Sequence, residues 1–170
     1  MICIIRNATI NDAKSVLENT KNIREETDFL LSYPDEINFS VEEEEELLED
    51  KENSPCEIQI CALIDDRIIG LAKISAVGSK DKVKHRAEFG ISIEKAYYGK
   101  GIGTALTKAC IECAKTAGYR QLELEVVAEN KNAIALYKKF GFKEIGRNPR
   151  GFCSRYTGWQ ELISMLLELD

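Results

Sequence analysis

The fold of this chain is decided around Ile91-Ser92-Ile93-Glu94-Lys95-Ala96-Tyr97-Tyr98-Gly99-Lys100-Gly101-Ile102-Gly103-Thr104. The first residues are typical of a buried strand, and three alternating glycines then lead into an alanine-rich helical run. Glycine lets the backbone approach a ligand closely, and the free N–H groups of a first helical turn attract an anion along the helix dipole. The stretch therefore predicts a strand, a turn and a helix N-terminus suited to phosphate or pyrophosphate, to which Lys100 and the Thr104 hydroxyl could add contacts.

Two common nucleotide motifs do not match this stretch. A dinucleotide-binding turn needs a third glycine three residues after Gly103, where the chain has Leu106. A Walker loop ends in Gly-Lys-Ser/Thr, but here Gly99-Lys100 opens the glycine-rich segment. Taken alone, the turn is compatible with either a phosphate site or a purely structural turn.

A second block follows, Asn130-Lys131-Asn132-Ala133-Ile134-Ala135-Leu136-Tyr137-Lys138-Lys139-Phe140-Gly141-Phe142. The first stretch, as Tyr98-x-x-Gly101-x-Gly103, resembles the coenzyme A signature Gln/Arg-x-x-Gly-x-Gly/Ala of the GCN5-related N-acetyltransferase (GNAT) superfamily. The second resembles that family's Asn-x-x-Ala-x-x-Leu-Tyr-x-x-x-Gly-Phe block. The two motifs in register are more specific than either alone. Tyr98 departs from the pattern, since the family usually has Gln or Arg there, and this changes one expected pyrophosphate contact.

The apolar pattern along the chain independently predicts an α/β domain with a largely antiparallel sheet and helices on its faces. Asp65-Asp66 is a tight hairpin signal between two β-rich runs, and Ser40 with Glu43 forms a capping box. Phe142 to Gly146 is predicted as a strand, and Trp159 to Leu169 is strand-like, although its Leu and Met residues also suit a helix. The resemblance adds a sheet of about seven strands, about four helices and splayed central strands.

The resemblance implies that the co-substrate is acetyl-CoA. Its pantetheine arm would lie between the strands Phe89 to Ile93 and Gln121 to Val127, paired with exposed backbone like an extra strand. Its pyrophosphate would rest on the amides of residues 99–104, and Asn130 would help to position the arm. The expected cofactor-binding residues are Ile91, Ser92, Ile93, Tyr98, Gly99, Lys100, Gly101, Ile102, Gly103, Thr104 and Asn130.

Acetyl transfer to an amine needs a base, because an alkylammonium has a pKa of about 10.4, and an acid for the departing thiolate. The family pattern makes Tyr137 the expected general acid; the alternative is that its ring only packs against the sheet. Glu88 is the candidate base, since family members often carry a carboxylate there that acts through water. The alternative for Glu88 is an ordinary surface carboxylate.

The resemblance implies an acceptor pocket built from the first two helices, the connection between them and the closing strands. Here these parts contain Phe29, Tyr33 and Phe39, the acidic run 42–46 and Arg150 to Tyr156, although the aromatics could equally be core. The expected function is an acetyl-CoA-dependent N-acetyltransferase acting by direct attack of a primary amine: a small-molecule amine, polyamine, aminoglycoside or peptide amine. Two alternatives stay open. One is a catalytically silent acyl-CoA-binding regulatory domain, and the other is a phosphate- or nucleotide-binding protein that uses the same turn.

Length and charge set the remaining expectations. The 170 residues suit a single domain, residues 1–170, and the net charge of −6 disfavours nucleic acid. No apolar run is long enough to span a bilayer and no leader is visible, which predicts a cytoplasmic protein without a membrane partner. Six cysteines and one histidine do not form a metal-ligand pattern, so no metal is expected. A homodimer is possible through the apolar C-terminal run.

Overall fold

The computed structural model describes all residues, 1–170, as eleven helices and strands and three short 3-10 turns. In chain order the helices and strands are β1 (Ile4–Asn7), α1 (Ala13–Glu26), α2 (Val41–Asn53), β2 (Ile58–Ile64), β3 (Arg67–Ala76), β4 (Arg86–Ile93), α3 (Ile102–Thr116), β5 (Gln121–Val127), α4 (Lys131–Lys139), β6 (Lys143–Ser154) and β7 (Gly158–Glu168). None of the four helices is both long and apolar enough to cross a bilayer.

The strands form one seven-stranded sheet in the order β1-β2-β3-β4-β5-β7-β6. Every neighbouring pair is antiparallel except β4 and β5, which are parallel. Alternate residues of the strands, such as Ala87, Phe89, Leu122 and Leu124, join α3 and α4 in the main core. The opposite face of the sheet packs against α1 and α2 through a smaller core. The predicted α/β fold with a mostly antiparallel sheet is therefore confirmed.

Two local signals in the sequence produce the predicted geometry. Asp65 and Asp66 both have positive φ, at 50° and 61°, as the two central residues of a tight hairpin turn require. At the start of α2 the Glu43 N–H donates to the Ser40 hydroxyl at 3.1 Å, and the Ser40 N–H donates to the Glu43 carboxylate at 2.8 Å. The hairpin turn and the start of α2 therefore form at the positions that these residue types predicted.

The central strands diverge, as the resemblance implied. Parallel pairing of β4 with β5 covers only three positions and ends at Glu88 opposite Glu123. Beyond that pair, β4 continues to Ile93 and β5 to Val127 without bonding to each other. At the paired end, the Arg86 guanidinium donates to both oxygens of Glu123, at 2.7 and 3.0 Å. The sheet thus has a wedge-shaped gap in its middle, lined by free backbone.

The last hairpin is longer than the sequence predicted. The strand expected at Phe142 to Gly146 instead runs from Lys143 to Ser154, and the run from Trp159 is a strand and not a helix. Most of β6 is exposed, so its sequence has no alternation of buried and exposed residues from which a strand could be predicted. Pairing with β7 holds it, with irregularities between Glu144 and Gly146 and between Asn148 and Phe152.

Candidate active site

The glycine-rich turn presents a continuous run of free amides. Gly99 and Gly101 have φ of +72° and +79°, in the left-handed region that suits glycine, and Gly101 is the N-cap residue of α3. Tyr98 N–H donates to the Lys95 carbonyl, and Ala105 N–H donates to the Gly101 carbonyl. The six N–H groups between them, from Gly99 to Thr104, donate to no acceptor in the protein. Together with the helix dipole, they form a site for an anion.

Gly103 is needed for a different reason, the close packing of three elements. A Cβ atom at this position would lie 3.3 Å from Ile93 on β4 and 3.3 Å from Leu136 on α4. The side chains around the turn are held by their neighbours: the Lys100 ammonium lies 5.3 Å from the Tyr97 ring centroid, and Lys139 donates to the Thr104 hydroxyl at 3.3 Å. The turn is thus fixed against both the strand and the helix that flank the gap.

A cavity of about 710 Å³ runs from this turn along the end of β4, where that strand no longer pairs with β5. It is lined by nearly all of the predicted cofactor residues; Lys100 is the exception, because its side chain lies over Tyr97. Residues from the end of α1 and the segment after it form the other wall. The lining comprises Ile23, Glu26, Thr27, Phe29, Leu30, Ile91, Ser92, Ile93, Lys95, Tyr97, Tyr98, Gly99, Gly101, Ile102, Gly103, Thr104, Asn130, Asn132, Ala133 and Leu136.

Tyr98 and Asn130 both line this cavity. Tyr98 is half-exposed, and burial of the ring, followed by the nearby Glu26 carboxylate, raises the pKa of its phenol. Asn130 is the N-cap of α4, where its side-chain oxygen accepts from the Ala133 N–H at 3.3 Å. Its amide nitrogen makes no hydrogen bond within the protein, and the residue lines the cavity.

Tyr137 does not line the cavity, and 7% of its surface is exposed. Its ring packs against Phe89 and Phe142, with centroids 6.1 and 5.7 Å away. The hydroxyl has no hydrogen-bond partner. It is not fully enclosed either, because the only side-chain polar atom that is both enclosed and unpartnered is Asn19 Oδ1. The Tyr137 hydroxyl therefore keeps some contact with solvent. Burial raises the pKa of Tyr137 to about 12, which keeps the phenol protonated at neutral pH.

Glu88 lies on the sheet face opposite α3 and α4, at the last paired position before the gap opens. It is exposed and makes no ion pair, whereas its neighbour Glu123 is held by Arg86. Its chain neighbour Phe89 contacts Tyr137 on the other face. Glu88 and Tyr137 therefore approach the same end of the gap from opposite sides of the sheet.

Of the three aromatics expected in an acceptor pocket, the structure brings only Phe29 to the cavity wall. Tyr33 stacks edge-on with Tyr156, 5.8 Å between centroids, and contacts Arg155. Phe39 is 51% exposed and precedes α2, away from the cavity. Neither Tyr33 nor Phe39 lines the cavity, so the structure adds no support to their interpretation as pocket residues.

The sequence interpretation missed a buried polar network beneath the turn. Glu94, which directly follows β4, accepts two hydrogen bonds from Arg67 at 2.8 Å and one from Asn19 at 3.1 Å. Burial disfavours its charge, but the hydrogen bonds from Arg67 and Asn19 outweigh burial, and the pKa of Glu94 is lowered. Next to it, Lys95 N–H donates to Glu26 at 2.7 Å. No short motif marks these residues, because the partners are separated by 27 to 75 positions.

Glu125 was also missed. It lies on β5 beyond the last pair with β4, on the same sheet face as Glu88, and is exposed without an ion-pair partner. The alternation Leu122, Leu124, Val126 in the core could have indicated that it points to the other face. Two unpaired carboxylates thus flank the gap on the side away from α3 and α4.

The chain is similar to known acetyltransferases along most of its length. The model of the Acetyltransferase (GNAT) family matches residues 21–142. A solved acetyltransferase of the GNAT family from Streptococcus pneumoniae is 30% identical, with a TM-score of 0.94 over 99% of this chain and 100% of that one. A GNAT superfamily phosphinothricin acetyltransferase from Sinorhizobium meliloti, solved in complex with AcCoA, has a TM-score of 0.84 at 22% identity over 99% and 89% of the two chains, a likeness of fold.

Among curated relatives, the L-amino acid N-acetyltransferase AaaT of Escherichia coli is 34% identical over 93 residues. The match covers 54% of this chain and 57% of that relative, so the chain spans about half the relative's length. The family model covers well over half of the chain, and the predicted family is confirmed. This chain belongs to the GNAT family of acetyltransferases, whose co-substrate is acetyl-CoA.

Proposed function

We propose that the protein is an N-acetyltransferase that binds acetyl-CoA and transfers the acetyl group to a primary amine by direct attack. The observation that carries this proposal is the run of six unbonded amides, Gly99 to Thr104, which opens onto the gap between β4 and β5. A diphosphate fits such a run without any cationic side chain. The attached arm then extends into the only break in the sheet.

The free edge of β4 supports this placement of the arm. Past Glu88, the backbone groups of β4 on the side of β5 have no strand partner. An extended pantetheine arm carries amides that can pair with such an edge, as an added strand would. Ile91, Ser92 and Ile93 line the cavity along this path, and Asn130 faces it from α4.

The proposed reaction needs three proton transfers: two away from the nitrogen and one to the sulfur. Glu88, directly or through water, takes a proton from the ammonium, and the neutral nitrogen attacks the thioester carbonyl to form a tetrahedral intermediate. Backbone N–H groups beside the pantetheine-binding strand stabilise its oxyanion, as the family resemblance implies. When the C–S bond breaks, Tyr137 donates its proton to the sulfur and takes the remaining extra proton from the nitrogen, directly or through water, which restores the phenol. The products are the N-acetyl amine and free coenzyme A, and Glu88 returns its proton to solvent.

The charges at the gap favour a cationic acceptor. Glu88 and Glu125 have no cation opposite them, so an approaching ammonium is attracted to the face from which the thioester can be attacked. Acceptors of this class include small-molecule amines, polyamines, aminoglycosides and peptide amines. The curated relative named above is an L-amino acid N-acetyltransferase, so amino acids, which are small-molecule amines, are the first acceptors to test.

Release of coenzyme A thiol from acetyl-CoA, followed with a chromogenic disulfide, tests the proposal. The acceptor panel contains single amino acids, a polyamine, an aminoglycoside and short peptides, and each reaction is compared with a mixture that lacks the amine. Amine-dependent thiol release is the expected result, together with a higher Tm in acetyl-CoA than in ATP or NAD.

Two results would contradict the proposal. Thermal stabilisation by acetyl-CoA without thiol release from any amine would favour the silent acyl-CoA-binding domain. Stabilisation by ATP or NAD but not by acetyl-CoA would favour a nucleotide-binding protein that uses the same turn.

A further inference from the structure

The segment between α1 and α2 crosses the gap in the sheet. Helix α1 packs against β3, and the segment contacts the β6–β7 hairpin both at Asp28, two residues after α1 ends, and at Tyr33. In the sheet order β4 and β5 lie between β3 and that hairpin, so the chain spans the gap from the end of α1 into residues 27–36 and then returns to α2. We call these ten residues the bridge. Phe29 and Leu30 of the bridge line the cavity opposite Ile91 to Ile93.

The bridge is held in place by side chains and not by a backbone ladder. Residues 28–32 take part in no backbone–backbone hydrogen bond. On the α1 side, Arg24 donates to the Ser32 hydroxyl at 2.7 Å. Fixing the backbone of each of these residues costs about 1–2 kcal/mol of conformational entropy. Side-chain contacts must therefore hold this stretch in one conformation.

The stronger anchors come from the β6–β7 turn. The Ser154 hydroxyl donates to the Asp28 carboxylate, and Gln160 Nε2 donates to the Asp28 carbonyl at 3.1 Å. Ser154 also accepts from the N–H groups of Tyr156 and Thr157, so the same oxygen shapes the turn. Ser154 and Gln160 are each only 7% exposed. Two buried polar side chains thus converge on one residue of the bridge.

Arg155 adds an outer contact at the tip of the turn. Its N–H donates to the Tyr33 hydroxyl at 2.8 Å, and its guanidinium lies 4.0 Å from the Tyr33 ring centroid and 2.8 Å from Asp35. These groups are largely exposed, so this contact is weaker than the buried one at Asp28. The position of Tyr33 is therefore explained by its contact with the turn.

We infer that Ser154 and Gln160 of the last hairpin are positioning residues, which fix the bridge across the gap and so set the affinity for the amine. This inference rests on the proposed function, since it assigns the bridge to the acceptor side of that cleft. In the proposed function acetyl-CoA is held by the turn amides and the free edge of β4, and the Glu94 network supports that turn independently of the hairpin. Loosening the bridge is therefore expected to act on the KM for the amine. The bridge residues that line the cavity, Thr27, Phe29 and Leu30, transmit the effect.

The test is Ser154→Ala, which removes the hydroxyl between the turn and Asp28. Loss of one hydrogen bond to a charged group raises the KM for the amine by about ten-fold or more. The KM for acetyl-CoA stays at the wild-type value, and Ser154→Thr, which keeps a hydroxyl, restores most of the amine affinity. Arg147→Ala is the control, because Arg147 lies on the same hairpin, pairs with Glu144 and Glu161, and does not touch the bridge.

A second measurement does not depend on activity. Chymotrypsin cleaves after aromatic and large apolar residues, and the bridge contains Phe29 and Tyr33. Ser154→Ala is expected to be cut within residues 29–33 faster than wild type or Arg147→Ala. An amine KM that does not change in Ser154→Ala, or equal cleavage rates, would overturn the inference. A wild-type protein that releases no thiol with any amine counts against the proposed function instead, and the digestion then decides the anchoring alone.

Discussion

Replacing Tyr137 with phenylalanine deletes a single hydroxyl at the end of the gap between β4 and β5. The ring fits between Phe89 and Phe142, and the hydroxyl bonds to nothing in the protein. Deleting it therefore leaves no buried partner unsatisfied, and the free energy of unfolding at neutral pH changes by less than about 0.5 kcal/mol. If Tyr137 protonates the departing thiolate, kcat falls by about 10²- to 10⁴-fold while the acetyl-CoA Kd is unchanged.

The same substitution has a second signature at high pH. The pKa of Tyr137 is about 12 in the folded protein, against an ordinary value of 10.0. The unfolded phenol ionises first, so this contribution to stability is complete below pH 10 and is lost as pH rises towards 12. The difference of two pKa units amounts to about 2.7 kcal/mol in full, and about 1.4 kcal/mol at pH 11. Tyr137→Phe has no phenol to ionise at this position and does not lose this stability. Its free energy of unfolding at pH 11 is therefore expected to exceed the wild-type value by about 1.4 kcal/mol.

Urea denaturation at pH 8 and pH 11 measures the stability, and the thiol-release assay measures kcat. The matched control is Tyr119→Phe, since Tyr119 is 6% exposed but its hydroxyl donates to the Cys56 carbonyl at 2.5 Å. The control should lose about 1 kcal/mol at pH 8 and keep its turnover. A Tyr137→Phe enzyme with wild-type kcat would remove the general-acid role and leave only the packing interpretation.

Three further substitutions separate binding, chemistry and stability. Gly101→Ala places a Cβ where nothing lies within 4 Å, but at a φ of +79°, so strain of about 1–2 kcal/mol is expected together with a higher KM for acetyl-CoA. The control is Gly118→Ala, at a φ of +92° beyond the end of α3, which should carry the same strain and leave the KM for acetyl-CoA unchanged. An equal KM in both glycine variants contradicts the phosphate role. Glu88→Gln should lower kcat by about 10²-fold or more, and a larger loss in Glu125→Gln would move the base to β5. Ser40→Ala should cost about 1 kcal/mol in urea denaturation with turnover intact, and a change in turnover would couple the α2 cap to the site.

The fold class was predictable because its determinants are local. The hairpin turn at Asp65-Asp66 and the capping box at Ser40 are each specified by residues within three positions of one another, and both formed as expected. The long β6 strand was not predictable beyond Gly146, because an exposed edge strand has no buried face to impose alternation. Its length depends on pairing with β7, which is a contact between distant parts of the chain.

The sequence by itself determined the turn that forms the candidate anion site, because the positive-φ Gly99 and Gly101 and the N-terminus of α3 all arise within one short run of the chain. Only the tertiary structure decided what surrounds that site. It placed Tyr137 against Phe89, brought Phe29 but neither Tyr33 nor Phe39 to the cavity, and joined the bridge to the last hairpin. Those contacts link residues up to 132 positions apart, and no periodicity or motif in one sequence encodes which distant side chains will meet.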